Sequence, residues 1–336
     1  MIAMKIFVFI FLFFSTSFSL NGKSMEVVII GGGPAGLTAA LYSARSGLST
    51  LVIEGDHPSG QIALSNHVEN FPGFPKGIDG FELGSNIRQQ AIKFGAITLV
   101  DKVVEADLRV RPFRLKLREG KEVYAETLII ATGARTKWLG LPSESALMGN
   151  GVNSCAICDG FLFGKKEVVV VGGGDTALED ALFLTNFAEK VTVIHRRDNL
   201  KASKILQKRA FANKKIFFIY DTVVEEIVDV SKGSVDGVCL KNLRTGSLSF
   251  YPCDGVFIAI GHVPNSDLFE GTLDLDENGY IQIEPYSTKT SIPGVFAAGD
   301  ITDPKYKQAI IAAGFGSMAA IDAFHFIKEN QNKENL

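Results

Sequence analysis

The sequence predicts an α/β protein built from two Rossmann-like nucleotide-binding units. Three observations carry that prediction: a glycine-rich strand–turn–helix pattern at residues 26–45, a second copy 141 residues further on, and a buried strand ending in glycine that closes each half. The length agrees, since 336 residues at about 150 per domain make two domains, each with its own core. A hydrophobic share of 46% with 21% charged residues excludes a disordered or fibrous chain. A net charge of −3 lacks the basic excess of a general nucleic-acid binder, so no nucleic-acid partner is expected. The 34 glycines, about one residue in ten against an average of roughly 7%, must therefore be explained by local geometry.

Residues 1–24 stand apart. Lys5 precedes an apolar run at 6–14 and then Ser15-Thr16-Ser17. Nine apolar residues cannot span a bilayer, which needs about 20, so no stable membrane insertion is expected. One basic residue, a short apolar stretch and small residues form the layout of a secretory signal peptide, with a start at Met25 as the alternative. No Asn-x-Ser/Thr acceptor accompanies it.

Glu26-Val27-Val28-Ile29-Ile30 reads as a strand buried on both faces. The G-x-G-x-x-G turn Gly31-Gly32-Gly33-Pro34-Ala35-Gly36 follows, then a helical stretch at 37–45 and a second strand ending in Glu54, 23 residues after Gly31. In such a turn the first glycine permits the bend, the second lets backbone approach a pyrophosphate, and the third lets helix pack on strand. A carboxylate at the end of the second strand can accept from ribose hydroxyls.

The second copy runs from Glu167-Val168-Val169-Val170-Val171 into Gly172-Gly173-Gly174-Asp175-Thr176-Ala177, a helical stretch at 177–187 and a strand at 191–194. At the acid's position, again 23 residues after the first glycine, stands His195, followed by Arg196 and Arg197. The first copy ends in a carboxylate that repels a 2′-phosphate, and the second in groups read as cations that attract one. The swap predicts NADPH in the second site and an adenine nucleotide without 2′-phosphate in the first. Alternating segments at 98–105 with 111–117, and at 216–229 with 235–241, read as meanders inserted into each half. The strands 128–133 and 256–261 close the halves, Gly294 to Asp300 has no counterpart, and a final helix is predicted over about 308–326. Its small residues Ala309, Ala312, Ala313, Gly314 and Gly316 permit close approach to a ligand or helix.

Cys155-Ala156-Ile157-Cys158 near βαβ units reads as a dithiol–disulfide couple at the start of a helical turn. Zinc and a purely structural bridge are the competing readings. Zinc needs about four ligands, and Cys239 and Cys253 are isolated, so no metal site is expected. A bridge closing so small a loop removes little chain entropy. Cys239 and Cys253 read as buried small hydrophobes.

The sequence resembles the FAD- and NADPH-dependent disulfide reductases, and within them the low-molecular-weight thioredoxin reductases. The resemblance rests on Cys155 to Gly160, Val68-Glu69-Asn70-Phe71-Pro72-Gly73-Phe74-Pro75, His195-Arg196-Arg197-Asp198, Gly261-His262-Val263-Pro264-Asn265, and Gly299-Asp300 followed by Lys307-Gln308-Ala309. It covers residues 25 to about 327, and the cysteine pair lies before the second nucleotide unit, as in the small reductases.

The resemblance implies a three-layer ββα architecture in which an NADPH domain, 139–265, is inserted into a discontinuous FAD domain, 25–138 and 266–330, leaving a tail at 331–336. It implies an FAD site of Gly31, Gly33, Pro34, Ala35, Gly36, Glu54, Gly60, Gln61, Asn70, Thr132, Gly133, Gly299, Asp300, Lys307, Gln308 and Ala309. The implied NADPH site holds Gly172, Gly174, Asp175, Thr176, Ala177, His195, Arg196, Arg197 and Lys201. Cys158 is implied to face the flavin, Cys155 to attack a partner's disulfide, and Asp159 to protonate the departing thiolate, with a helix N-cap as the alternative role for Asp159.

The implied reaction passes a hydride from NADPH to FAD, an electron pair to Cys155–Cys158, and reducing equivalents to a disulfide of thioredoxin or a thioredoxin-like protein. Rotation of the inserted domain about 138–142 and 263–267 is implied, as is a homodimer. Family members are typically cytoplasmic, whereas a signal peptide would export the chain. Lys201 and Lys307 stand where the family commonly has arginine, Ile62 to Asn66 replaces a Thr-rich run, and Phe315 and Ser317 replace Thr and Cys. A small-molecule dithiol oxidase of the same fold is the alternative enzyme, and Arg196-Arg197 argues against it. A non-enzymatic redox sensor is opposed by the intact Cys155–Cys158–Asp159 set.

Overall fold

The computed structural model describes residues 24–65 and 67–334. The expected signal peptide lies outside the described residues, apart from Ser24, as do Asn66 and the last two residues of the expected tail. The helices are α1 (Pro34–Arg45), α2 (Gly80–Lys93), α3 (Pro142–Ala146), α4 (Ala156–Asp159), α5 (Asp175–Leu184), α6 (Lys204–Ala212) and α7 (Ala309–Glu334).

The first sheet places Ile97–Leu99, Thr50–Ile53, Met25–Ile30 and Glu122–Ile130 side by side and parallel. The central strands Met25–Ile30 and Thr50–Ile53 are rich in β-branched residues and almost wholly buried, as a sheet covered by helices requires. Glu122–Ile130 serves two ladders. Its first half pairs antiparallel with Phe113–Leu117, which pairs with Val103–Asp107. Its second half, from Leu128, pairs parallel with Val295–Ala297. The chain thus returns to the first sheet after building the second from Ile216–Ile219, Lys190–Ile194, Glu167–Gly172, Gly255–Ala259 and Val152–Asn153. A separate antiparallel sheet comprises Thr222–Val228, Gly237–Asn242 and Leu248–Pro252.

Four details differ from the sequence expectation. The segments 98–105 and 216–229 are not single meander strands: each begins in a parallel sheet, turns, and only then enters the meander. Asp221 takes the left-handed backbone conformation (φ 51°) at one break, which alternation of side chains does not reveal. Leu248–Pro252 is a largely exposed strand with no buried face to announce it, and α2 and α6 are further additions. The last helix runs on through Glu334, so most of the expected tail is helical.

α7 lies against α1 through Ala312, Ala319, Ala320 and Ala323, packed with Ala35, Ala39, Ala40 and Ala44. The same composition makes α7 long and apolar enough to cross a bilayer; in the fold its alanine face covers α1. Gly316 sets the spacing, because a Cβ there would sit 2.0 Å from the Ala35 carbonyl oxygen. Gly314, one residue pair away, has open space around it. Gly316→Ala is expected to cost about 1–3 kcal/mol through forced separation of the helices. Gly314→Ala is expected to be neutral or stabilising by up to about 1 kcal/mol. Urea unfolding of the two variants checks the contrast.

Candidate active site at the seam of two nucleotide units

Both glycine-rich turns are built on contacts that exclude a side chain. A Cβ at Gly31 would lie 2.1 Å from the Ala131 carbonyl oxygen, and one at Gly36 would lie 1.9 Å from that of Gly31. At the second turn a Cβ on Gly172 would lie 2.4 Å from the Ala259 oxygen and 2.7 Å from the Ala177 methyl. Gly33 and Gly174 are the N-caps of α1 and α5, and neither supplies a side-chain acceptor. The first N–H groups of both helices are therefore left for a bound anion. Pro34, at the first helical position, removes no needed donor, and Ala35 is buried. Asp175 turns its carboxylate to the Ser203 N–H at 2.6 Å, while Thr176 is exposed at the helix start.

The acid of the first unit, Glu54, has a fully buried side chain against Gly32 and pairs with Arg88 of α2. Its Oε1 is buried with no partner, as is Arg88 Nε. Gly60 packs toward Gly33, and Gln61 donates to the Ala134 carbonyl. Thr132 and Gly133 are locked to Asn265: Thr132 Oγ1 donates to the Asn265 oxygen (2.9 Å), Asn265 Nδ2 returns a bond to the Thr132 oxygen (2.8 Å), and the Asn265 N–H reaches Gly133 (2.9 Å). Gly299, at φ 80°, would bring a Cβ to 2.8 Å from the Ala35 methyl, so the return segment closes on the start of α1. Burial, reinforced by Asp303, pushes the Asp300 carboxyl up to about 6. Burial lowers the Lys307 ammonium below its usual range, and Lys307 donates to the Pro304 carbonyl. Glycine cradles and free helix N–H groups beside a buried strand-end carboxylate fit a dinucleotide with an unsubstituted ribose.

Charge at the second unit differs from the sequence expectation. His195 is buried over Gly173, its Nε2 lies 3.0 Å from the Asn199 carbonyl, and desolvation lowers its pKa. It is therefore a neutral packing group at neutral pH, and Arg196, Arg197 and Lys201 carry the exposed positive charge. Lys201 is fixed through its backbone N–H to the Gly173 oxygen (2.8 Å). Arg244 also reaches this rim, held by Asp198 (2.9 Å) and Asp221 (2.8 Å). It lies too far along the sequence for the His195-Arg196-Arg197 pattern to find it.

Cys155 and Cys158 are joined in a disulfide. Cys155 caps α4, and its sulfur accepts from the Cys158 N–H at 3.1 Å. Gln308, just before α7, bridges Asn70 and the sulfur: its Oε1 accepts from Asn70 Nδ2 (3.2 Å) and its Nε2 lies 3.9 Å from Cys155 Sγ. Ala309 then opens α7. The Asp159 side chain caps no helix, and burial pushes its carboxyl up to about 6. Ile157, Phe161 and Leu162 beside the pair are exposed, a cluster not singled out from the sequence. Of the remaining cysteines, Cys253 is buried with its thiol pushed up to about 12, whereas Cys239 is only half-buried, contrary to expectation.

Two dinucleotide cradles meeting at a C-x-x-C disulfide define a nucleotide-dependent disulfide oxidoreductase. The chain belongs to the pyridine nucleotide-disulphide oxidoreductase family, whose model matches residues 25–316. It is 49% identical over 305 residues to thioredoxin reductase of Rickettsia conorii, covering 90% of this chain and 98% of the relative. Among solved structures, thioredoxin reductase from Giardia duodenalis superposes with a TM-score of 0.86 at 41% identity, over 91% of this chain and 99% of that one. Lactococcus lactis thioredoxin reductase in its FR conformation gives only 0.62 at 38% identity, over 91% and 100%. Membership implies FAD and NADPH as cofactors, and the residues fit both.

Replacing Arg196 and Arg197 together with Ala is expected to raise KM for NADPH by tenfold or more while leaving KM for NADH nearly unchanged, as steady-state kinetics with both nucleotides will measure.

Proposed function

We propose that the protein is a thioredoxin–disulfide reductase in which the first nucleotide unit binds FAD, the second binds NADPH, and Cys155–Cys158 relays the electrons. The observation that carries the reading is the disulfide itself, held in the second unit with Gln308 of the returning segment 3.9 Å from Cys155 Sγ. The boundaries 25–138, 139–265 and 266–330 express that organisation, and the two sheets support them. FAD, when bound, accepts a hydride from NADPH and supplies an electron pair to a disulfide.

The chain's own groups then do thiol chemistry. The Cys155 thiolate attacks a disulfide sulfur of the partner, forming a mixed disulfide and expelling the partner's second thiolate, which Asp159 protonates. The Cys158 thiolate next attacks Cys155 Sγ, re-forming the intramolecular disulfide and releasing the partner's other sulfur as a thiolate. The half-buried carboxyl of Asp159, raised to about 6, is suited to holding a proton near neutrality. Exposed Ile157, Phe161 and Leu162 offer a thioredoxin-like protein an apolar landing beside the reactive sulfur. Attack needs Cys155 open to that protein while reduction needs the pair at the flavin, so rotation about 138–142 and 263–267 belongs to the reading; the unequal TM-scores support it. A homodimer is part of the reading too, supported by exposed Phe81, Ile92 and Phe94 on and after α2 and Ile321 on α7.

Anaerobic addition of NADPH to the flavoprotein tests the proposal. The flavin absorbance should bleach within seconds and return on addition of oxidised thioredoxin; bleaching without return would contradict the assignment. Asp159→Asn should lower turnover about 100-fold and abolish the decline of the thiol-exchange rate above about pH 6, because the lost group acts in its protonated form. A pH–rate comparison of the two proteins measures this.

A further inference from the structure

Asp198 is an anion placed among cations. In the turn after the strand Lys190–Ile194, the exposed Arg196, Arg197 and Lys201 present positive charge to a nucleotide, and the exposed Asp198 stands between them in the chain. Asp221, in the turn after Ile216–Ile219, brings a second carboxylate to the same rim, because its N–H donates to the Arg197 carbonyl at 3.2 Å. A 2′-phosphate is itself an anion, so both carboxylates oppose its approach.

One side chain meets both. Arg244 Nη2 donates to Asp198 Oδ2 at 2.9 Å, and Arg244 Nε lies 2.8 Å from Asp221 Oδ2. Arg196, Arg197, Lys201 and Arg244 then outnumber the two carboxylates by two charges, and without Arg244 the surplus halves. Arg244 and Asp198 are exposed, and ion pairs in solvent add little to stability, so stability alone does not explain why three separate turns converge here.

The chain is built to deliver Arg244. The turn joining Gly237–Asn242 to Leu248–Pro252 is fixed by Asn242, whose Oδ1 accepts from the N–H groups of Arg244 and Thr245, both at 3.0 Å. Gly246 closes that turn in the left-handed conformation, at φ 73°. The Leu243 N–H donates to the Asp221 carbonyl at 2.6 Å, which holds the turn beside the second sheet. On the far side, Asp198 Oδ1 accepts from Asn199 Nδ2 (3.0 Å), and the Asn199 carbonyl lies 3.0 Å from His195 Nε2. The grip on Asp198 therefore reaches the whole loop that carries Arg196, Arg197 and Lys201.

We propose that Arg244 is a positioning residue for recognition of the 2′-phosphate: it neutralises and holds Asp198, so that the loop presents its cations without a competing anion. Arg244 acts through Asp198 and needs no contact with the nucleotide. The inference rests on the assignment of NADPH to the second unit.

Steady-state kinetics of the holoenzyme with NADPH and with NADH test it. Arg244→Met should raise KM for NADPH about fivefold while KM for NADH and kcat stay within about twofold of wild type. Adding Asp198→Asn should bring KM for NADPH back to within about twofold, because the carboxylate that needed neutralising is gone. No rescue by Asp198→Asn would overturn the proposal, and so would an equal rise in KM for both nucleotides, which is the signature of a distorted loop. Raising the salt from about 0.02 M to about 0.5 M should shrink the ratio of variant to wild-type KM for NADPH. A ratio that salt leaves unchanged contradicts a charge mechanism. Wild-type protein that does not distinguish NADPH from NADH would instead refute the nucleotide assignment, and the proposal with it.

Discussion

Backbone packed directly on backbone, at places where no side chain fits, is the constraint on which the rest depends. Gly31 against Ala131, Gly36 against Gly31 and Gly172 against Ala259 pull each helix onto the end of its strand. That closeness points the helix N-terminus at the space above the sheet, which makes each turn a site for a pyrophosphate. Gly316 against Ala35 extends the principle to α7. The returning chain can lie on α1 only because no methyl intervenes, and that return carries Gly299, Asp300 and Gln308 to the seam. The glycine excess in the composition is the sequence's record of these approaches.

Charge and burial then differentiate two copies of one framework. At the first unit the strand-end acid is sealed and neutralised by Arg88. At the second the same position holds a buried, neutral His195, and the exposed arginines next to it bear the charge. Between them, desolvation raises Asp159 and Asp300 toward neutrality. A carboxyl that keeps a proton near pH 6 next to the cysteine pair, as Asp159 does, is suited to thiol chemistry, where leaving groups depart as anions.

Much of this was legible in the sequence, for physical reasons. The strand–turn–helix repeats show because β-branched runs, invariant turn geometry and helical spacing are all local. The redox pair shows because a two-residue spacing is itself the geometry. What escaped was nonlocal or conformational. Arg88 meets Glu54 across a helix that the alternation of nearby segments did not announce, and Arg244 reaches Asp198 from a separate sheet. The split of 98–105 and 216–229 depends on turns such as Asp221, where backbone conformation changes without a change in hydrophobic pattern. The charge state of His195 depends on what covers it, which residue identity alone does not tell.

In the proposed reaction the Cys155–Cys158 disulfide is in electronic communication with the bound flavin. Anaerobic titration of the flavoprotein with dithionite, followed by absorbance and thiol count, measures it most directly. Full reduction should take four electrons per flavin, two for FAD and two for the disulfide, falling to two when both cysteines are replaced by serine. Complete reduction of the wild-type protein by two electrons, with the disulfide still intact, would contradict it.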